Sequence, residues 1–349
     1  MSVMTVNGKI DASLLGITAP HEHVLIDTTN FYHEPDAVSD RVFANKKLEN
    51  MRDLGKLRLN PSGMRDNFVL NDEQLQIQEV IAYQRAGGQT IVDLTLRGIG
   101  RDVAFLRRLS NQTGLNVIAG TGFYVVSSHP DYLRDMDEKT IAQIMLSEIE
   151  NGIDGTDIRP GVIGEIGVGY DFHPQEQKVL RAAAYAHKES GLPLSIHVSP
   201  WSVNGMPAMK ILQEERIDPK HICICHSDGE CKKDYMYQLL DTGAYLEFDN
   251  FGKEFSVLDY RKIRKGIFDK FVSDWQREET LIELINAGYE DQLLISCDVC
   301  LKMFLQEYGG FGYAHILENI VPELRMYGVS QEKIDKLLIE NPRFFLDVV

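Results

Sequence analysis

Two histidines one residue apart in an apolar run constrain this chain more than any other feature: Ile17-Thr18-Ala19-Pro20-His21-Glu22-His23-Val24-Leu25-Ile26-Asp27. Residues i and i+2 of a strand share a face, so His21 and His23 project together while Glu22 points away. Neutral imidazoles set side by side suit zinc and similar ions. By itself the pair is a weak signal, packed or solvated histidines being the commoner case, so the decision rests on partners further along the chain.

Thr28 to Asn71 is polar, carries Pro35 and Pro61, and shows no strand pattern, so it reads as an insertion over residues 28–71. A helix signal follows, with Asn71-Asp72 as caps and Gly87-Gly88 as its end. From there short apolar strands alternate with helices. The strands read as Thr90–Thr95, Leu115–Gly120, Gly161–Ile166, Leu192–Val198, His221–His226, Ala244–Asp249 and Gln292–Asp298. Helices read as Arg101–Thr113, Glu138–Asn151, Pro174–Ser190, Pro207–Glu215, Lys232–Thr242 and one containing Glu278–Ala287, with two more after the last strand, His315–Met326 and Gln331–Glu340.

Counting the first strand, eight alternating units predict a (β/α)8 TIM barrel, and residues 1–349 read as one domain. The rival is an open doubly wound sheet. Its dinucleotide fingerprint is missing, since Gly120-Thr121-Gly122 and Gly309-Gly310-Phe311-Gly312 lack the spacing and the later acidic residue.

Barrel enzymes carry their chemistry at the C-terminal strand ends. Those ends hold His21, His23, Glu165, His197, His226 and Asp298. Glu165, His197 and His226 follow one another at intervals of about 30 residues, the length of one βα unit in a barrel of about 250 residues. The wider gap from His23 to Glu165 exceeds three units by about 50 residues, which the insertion accounts for. Alternation in His221–His226 places Ile222, Ile224 and His226 in the lumen and turns Cys223 and Cys225 toward the helices.

Four histidines and two carboxylates are too many for one tetrahedral ion and suit two ions. Glu165 is the expected bridge, with His21, His23 and Asp298 on one ion and His197 and His226 on the other. A bridging hydroxide is then the expected nucleophile, and Asp298 the proton acceptor. Zinc is the expected metal, with manganese, cobalt or iron as substitutes.

The formal net charge of −16 excludes nucleic acid and anionic membrane as partners and leaves a small-molecule substrate. Any anionic substrate needs a local cation. No apolar run is long enough to cross a membrane, and the first residues do not form a signal peptide. Five cysteines read as reduced thiols, which makes a cytoplasmic location the expectation.

The segments Pro20-His21-Glu22-His23, Val162-Ile163-Gly164-Glu165-Ile166-Gly167, Ile196-His197, Cys225-His226-Ser227-Asp228 and Ser296-Cys297-Asp298-Val299-Cys300 closely resemble the phosphotriesterase family of the amidohydrolase superfamily. The resemblance implies a distorted barrel, a binuclear centre and a homodimer. Many members bridge the ions with a carbon-dioxide-modified lysine. Glu165 stands at that position here, as in the phosphotriesterase-related branch. Asn250 stands where true phosphotriesterases carry a proton-relaying histidine.

Hydrolysis of a lactone, carboxylic ester or amide is therefore expected, with phosphotriester activity weak. The alternatives are a phosphotriester or phosphodiester hydrolase and a metal-containing small-molecule-binding protein without catalysis. Tyr124, Trp201, Asn250, Lys302 and Arg97 are the substrate-pocket candidates. Arg101 and His129 are ranked below them, and Lys253 joins Lys302 if the substrate is anionic.

Overall fold

The computed structural model describes residues 2–35, 38–257 and 269–347. Eight strands run β1 (Thr18–Glu22), β2 (Thr90–Asp93), β3 (Asn116–Thr121), β4 (Val162–Val168), β5 (Leu194–Val198), β6 (Ile222–Ile224), β7 (Tyr245–Phe248) and β8 (Leu293–Ile295). Each pairs with the next in parallel, in unbroken sequence order. This is the expected (β/α)8 barrel.

Side chains close the seam between β8 and β1. The Glu22 carboxylate, fully buried, accepts from the Ser296 hydroxyl (2.9 Å) and from the Cys297 (3.0 Å) and Val299 (2.8 Å) N–H groups. Burial pushes the Glu22 pKa up to about 7, and these donors only partly offset it. The N–H of Asp298 donates to the His21 carbonyl at 3.2 Å, tying two candidate ligands together through the backbone.

Around the strands lie α1 (Glu73–Arg85), α2 (Val103–Thr113), α3 (Glu138–Asn151), α4 (Pro174–Ser190), α5 (Gly205–Glu214), α6 (Lys233–Leu240) and α7 (Asp274–Asn286). Their ends follow local chemistry. Asp72 and Asp137 cap α1 and α3 by accepting from backbone N–H groups of the first turn. His173 and Glu176 form a capping box at α4, which ends at Gly191 in the left-handed conformation. After β8 the two expected helices each begin or end in a π-helical turn, Ile316–Ile320 and Lys336–Glu340.

Two segments depart from expectation. Ser2–Thr5 and Gly8–Asp11 form a hairpin whose Val3 clusters with Leu15, Phe345 and Leu346 against lumen residues Val92, Ile118, Val162 and Leu294. The insertion is not strandless: Val69–Leu70 pairs antiparallel with Ile26–Asp27, so its two ends are pinned together, with short helices Val38–Ala44 and Leu54–Leu59 between.

The parity expected for β6 is reversed. Cys223 and Cys225 belong to the lumen cluster, while Ile222 and Ile224 pack in the outer core against the helices. The strand ends at Ile224, and His226 takes a left-handed backbone (φ 58°), which breaks the alternation.

Candidate metal centre

The six strand-end residues meet at one point of the rim, all nine-tenths or more buried. Glu165, within β4, lies between the histidine pairs. Its Oε1 is 3.4 Å from His23 Nε2, and its Oε2 is 3.5 Å from His21 Nε2, 3.0 Å from His197 Nδ1 and 3.2 Å from His226 Nε2. Asp298 Oδ1 faces His23 Nε2 at 3.1 Å and His21 Nε2 at 3.8 Å.

Glycines let β4 reach this position. A Cβ on Gly164, whose φ is 134°, would lie 2.1 Å from the Ser195 carbonyl oxygen, and one on Gly167 would lie 2.2 Å from the Tyr124 backbone. Asp298, like His226, has positive φ (46°). Both ligands sit just beyond their strands on backbone that few residue types adopt, a pattern typical of functional sites.

Burial works against charge on every member, so neighbours decide the outcome. His23 rises to about 9, burial opposing while Asp298 and Glu165 prevail, and His226 rises to about 10 through Asp249 and Glu165. His21 is also raised, chiefly by Glu165 against burial. His197 is lowered, because burial outweighs Glu165 and His226 adds to it. Glu165 is held well below the carboxylate range by His21 and His197, and Asp298 by Lys253 and His23, both against burial.

The facing carboxylates thus favour the charged form of His21, His23 and His226, and ligation of a cation would displace those protons. His21 Nε2 is buried with no hydrogen-bond partner, although Glu165 and Asp298 lie beside it. His197 Nδ1 and His226 Nε2 are 2.8 Å apart, with Glu165 Oε2 at 3.0 and 3.2 Å from them. Tetrahedral zinc with bonds of about 2.0–2.1 Å spaces its ligand atoms about 3.3 Å apart, so the donor set suits a divalent cation.

The opposite ring nitrogens are also engaged. His21 Nδ1 lies 3.1 Å from both Glu247 Oε2 and Asp249 Oδ2, and His226 Nδ1 lies 3.0 Å from Asp249 Oδ1. His23 Nδ1 meets Thr95 Oγ1 at 3.0 Å. Such partners fix the tautomer of a ligating imidazole. Sequence reasoning passed over Glu247 and Asp249. Their signal was two acidic residues two apart in an otherwise apolar seventh strand, which burial tolerates only when both find donors.

The pocket candidates separate. Tyr124 lies against His197, its hydroxyl 3.4 Å from Nε2. Asn250 is buried, but its amide is spent on Asp228 and Asp249 and its oxygen on Lys253. Arg97 is not available to a substrate, being bound with Arg101 to Glu148 and Asp154. Lys302 is drawn to Asp66 of the insertion at 2.8 Å. Trp201 packs edge-on against Phe271, ring centroids 5.1 Å apart, and His129 Nε2 is 2.7 Å from the Tyr124 carbonyl.

Lys253 occupies the cationic position that the arginine and Lys302 do not. Its side chain is 4% exposed, and its ammonium pairs with Asp298 Oδ2 and donates to Asn250 Oδ1 at 3.2 Å. Its pKa is raised, burial opposing but the Asp298 charge prevailing.

Residues 1–346 match the model of the phosphotriesterase family. The chain belongs to that family. It is a metal-dependent hydrolase. An N-acetyltaurine hydrolase of Danio rerio is 39% identical over 349 residues, covering 99% of this chain and 97% of that one. A resiniferatoxin-binding protein from Rhodobacter sphaeroides superposes with a TM-score of 0.94 at 36% identity, across 100% of this chain and 96% of that one. The phosphotriesterase homology protein from Escherichia coli, solved with phosphate in its active site, gives a TM-score of 0.78 at 29% identity, with 97% and 100% covered.

Proposed function

We propose that this protein hydrolyses the amide bond of an N-acyl amine that carries an anionic tail, with N-acetyltaurine as the first compound to test. The observation that carries the reading is Lys253, a buried ammonium beside Asp298 on a chain of net charge −16. Unlike Arg97 and Lys302, which pair with carboxylates away from the cluster, Lys253 pairs with Asp298 itself, which places its charge at the reacting rim. The relatives named N-acetyltaurine hydrolase supply the sulfonate as the tail to try first.

Two divalent ions, zinc the expected pair, would be held by His21, His23 and Asp298 on one side and by His197 and His226 on the other, with Glu165 available to both. When bound, such ions polarise an acyl oxygen and acidify water. The chain's own groups do the rest. Asp298 takes the proton of the attacking water and returns it to the departing amine nitrogen. Lys253 keeps Asp298 ionised and attracts the anionic tail, which holds the amide over the rim. Asp249, Glu247 and Thr95 keep three imidazoles in the ligating tautomer.

The test is a panel on zinc- and manganese-loaded protein: N-acetyltaurine, a neutral N-acetyl amine of similar size, a lactone, a carboxylic ester and a phosphotriester. The anionic amide should be turned over fastest, and Lys253→Met, which also removes the charge beside Asp298, should slow every substrate but raise the KM of the anionic amide far more than that of the neutral one. A phosphotriester or lactone turned over faster than any amide would replace this reading. The similarity to a resiniferatoxin-binding protein favours a second one, in which the site binds a small molecule without turnover; tight binding with no product from any panel member would establish it.

A further inference from the structure

Of the four histidines, His197 is the exception in how it is held. His21, His23 and His226 turn Nε2 toward Glu165 and give Nδ1 to a carboxylate or a threonine hydroxyl. His197 does the reverse: Nδ1 faces Glu165 and His226, and Nε2 faces outward to the Tyr124 hydroxyl. Its outer contact is also the longest of the set, 3.4 Å against 3.0–3.1 Å for the others.

We infer that Tyr124 is a positioning residue for the metal centre: its hydroxyl accepts from His197 Nε2–H, selects the tautomer whose Nδ1 is free to ligate, and so sets how tightly the ion on His197 and His226 is held. The ring contributes as well, because the phenol and the imidazole meet edge to face with centroids 4.5 Å apart. The far edge of Tyr124 meets Phe31 at 6.0 Å, on the first turn of the insertion.

The backbone beneath Tyr124 is fixed on two sides. His129 Nε2 reaches its carbonyl at 2.7 Å, and β4 presses against it at Gly167, where no side chain would fit. The Gly167 N–H donates to the Phe123 carbonyl at 3.2 Å. Tyr124 is therefore held from behind by the strand that carries Glu165, and its hydroxyl is aimed at one ring nitrogen. An uncharged phenol supports an imidazole less strongly than the carboxylates behind His21 and His226. With the Asp298 carboxylate facing His21 and His23 and the Tyr124 contact longer than that of Thr95, the ion on His197 and His226 would accordingly exchange more readily.

This rests on two ions being bound but not on which substrate is cleaved, so it is tested by metal uptake. Apo wild type, Tyr124→Phe and Tyr124→Leu are titrated with zinc and, in parallel, with cobalt(II), whose visible absorption reports each ligand set as it fills. Tyr124→Phe keeps the ring contact and loses the hydroxyl. It should bind the first ion as wild type does and the second about tenfold more weakly, within the 10–100-fold range for removing the outer partner of a ligating histidine. Tyr124→Leu should weaken the second ion further and alter only its cobalt spectrum.

Wild-type affinity for both ions in Tyr124→Phe overturns the inference, as does equal weakening of both, which would mark a general structural role. Uptake of a single ion by wild type overturns it too. Failure to hydrolyse N-acetyltaurine alongside normal two-ion uptake would break the proposed function and leave this inference standing.

Discussion

Compare the two halves of the metal centre. On one side His21 and His23 stand on and just beyond β1, backed by Glu247, Asp249 and Thr95, with Asp298 locked to the same strand through the seam. On the other side His197 leans on a phenol, and His226 shares Asp249 with His21. Each half has one imidazole backed by carboxylate and one by a hydroxyl, but the first adds the Asp298 carboxylate beside its histidines and its Thr95 contact is the shorter, 3.0 Å against 3.4 Å for Tyr124. The second leans on Tyr124, in the segment after β3. If two ions bind as proposed, nearly the same imidazoles would hold them unequally, because their outer partners differ.

The strongest way to break the comparison is to remove what both halves share. Glu165→Gln should abolish tight binding of both ions, because it removes the one charge that faces all four histidines. Added bicarbonate should make no difference to wild type, since this bridge needs no carbon dioxide. Isothermal titration of the apo proteins decides it: two ions still bound tightly by the Gln variant would show that Glu165 is not the bridge.

Next in size is Asp298→Asn. With both ions confirmed by elemental analysis, turnover should fall by about 10²-fold or more on every substrate, because an amide cannot accept the proton. Near-normal kcat would remove Asp298 from the proton path.

A smaller effect sharpens the contrast between halves. Asp249→Asn touches both His21 and His226, so it should weaken both ions, by about 10–100-fold. Thr95→Val touches only His23 and should weaken the first ion alone, by about tenfold or less. Equal effects from the two variants would contradict the geometry.

The gentlest probe is pH. In the metal-free protein His23 and His226 are raised to about 9 and about 10 from an ordinary value of 6.5. A raised imidazole stabilises the fold fully below its unfolded pKa, and that contribution is lost as pH rises through the folded one. Apo protein should therefore lose stability between about pH 6.5 and 10. Metal binding runs the opposite way, since ligation expels the same protons. The gap between loaded and apo melting temperatures should widen as pH rises across that window; a constant gap would mean these histidines carry no extra protons.

The barrel was legible because its strands are short, apolar and evenly spaced, and because helix ends such as Asp137, Pro174 and Gly191 are strong local signals. The strand-end cluster was legible from the spacing of one βα unit, which brings those six side chains to one rim even though His226 breaks the alternation of β6. What escaped depended on backbone detail or on pairing at a distance. The orientation of Cys223 and Cys225 turned on β6 ending two residues before His226. Lys302 and Arg97 were drawn off by Asp66 and Glu148, residues far away in sequence. The N-terminal hairpin had a signal in Asn7-Gly8, a favoured turn pair that the histidine motif overshadowed.

The Glu22 seam has a consequence for the birth of the protein. The residue between the two leading histidines bonds to backbone 275 and 277 positions later. A chain emerging from the ribosome therefore displays His21, His23, Glu165, His197 and His226 long before Cys297 and Val299 arrive to close the circle. Contacts so distant in sequence form late. Chains that stop short of Cys297 would hold five of the six donors in an unclosed ring, and the ability to retain metal would switch on only once that segment has been added.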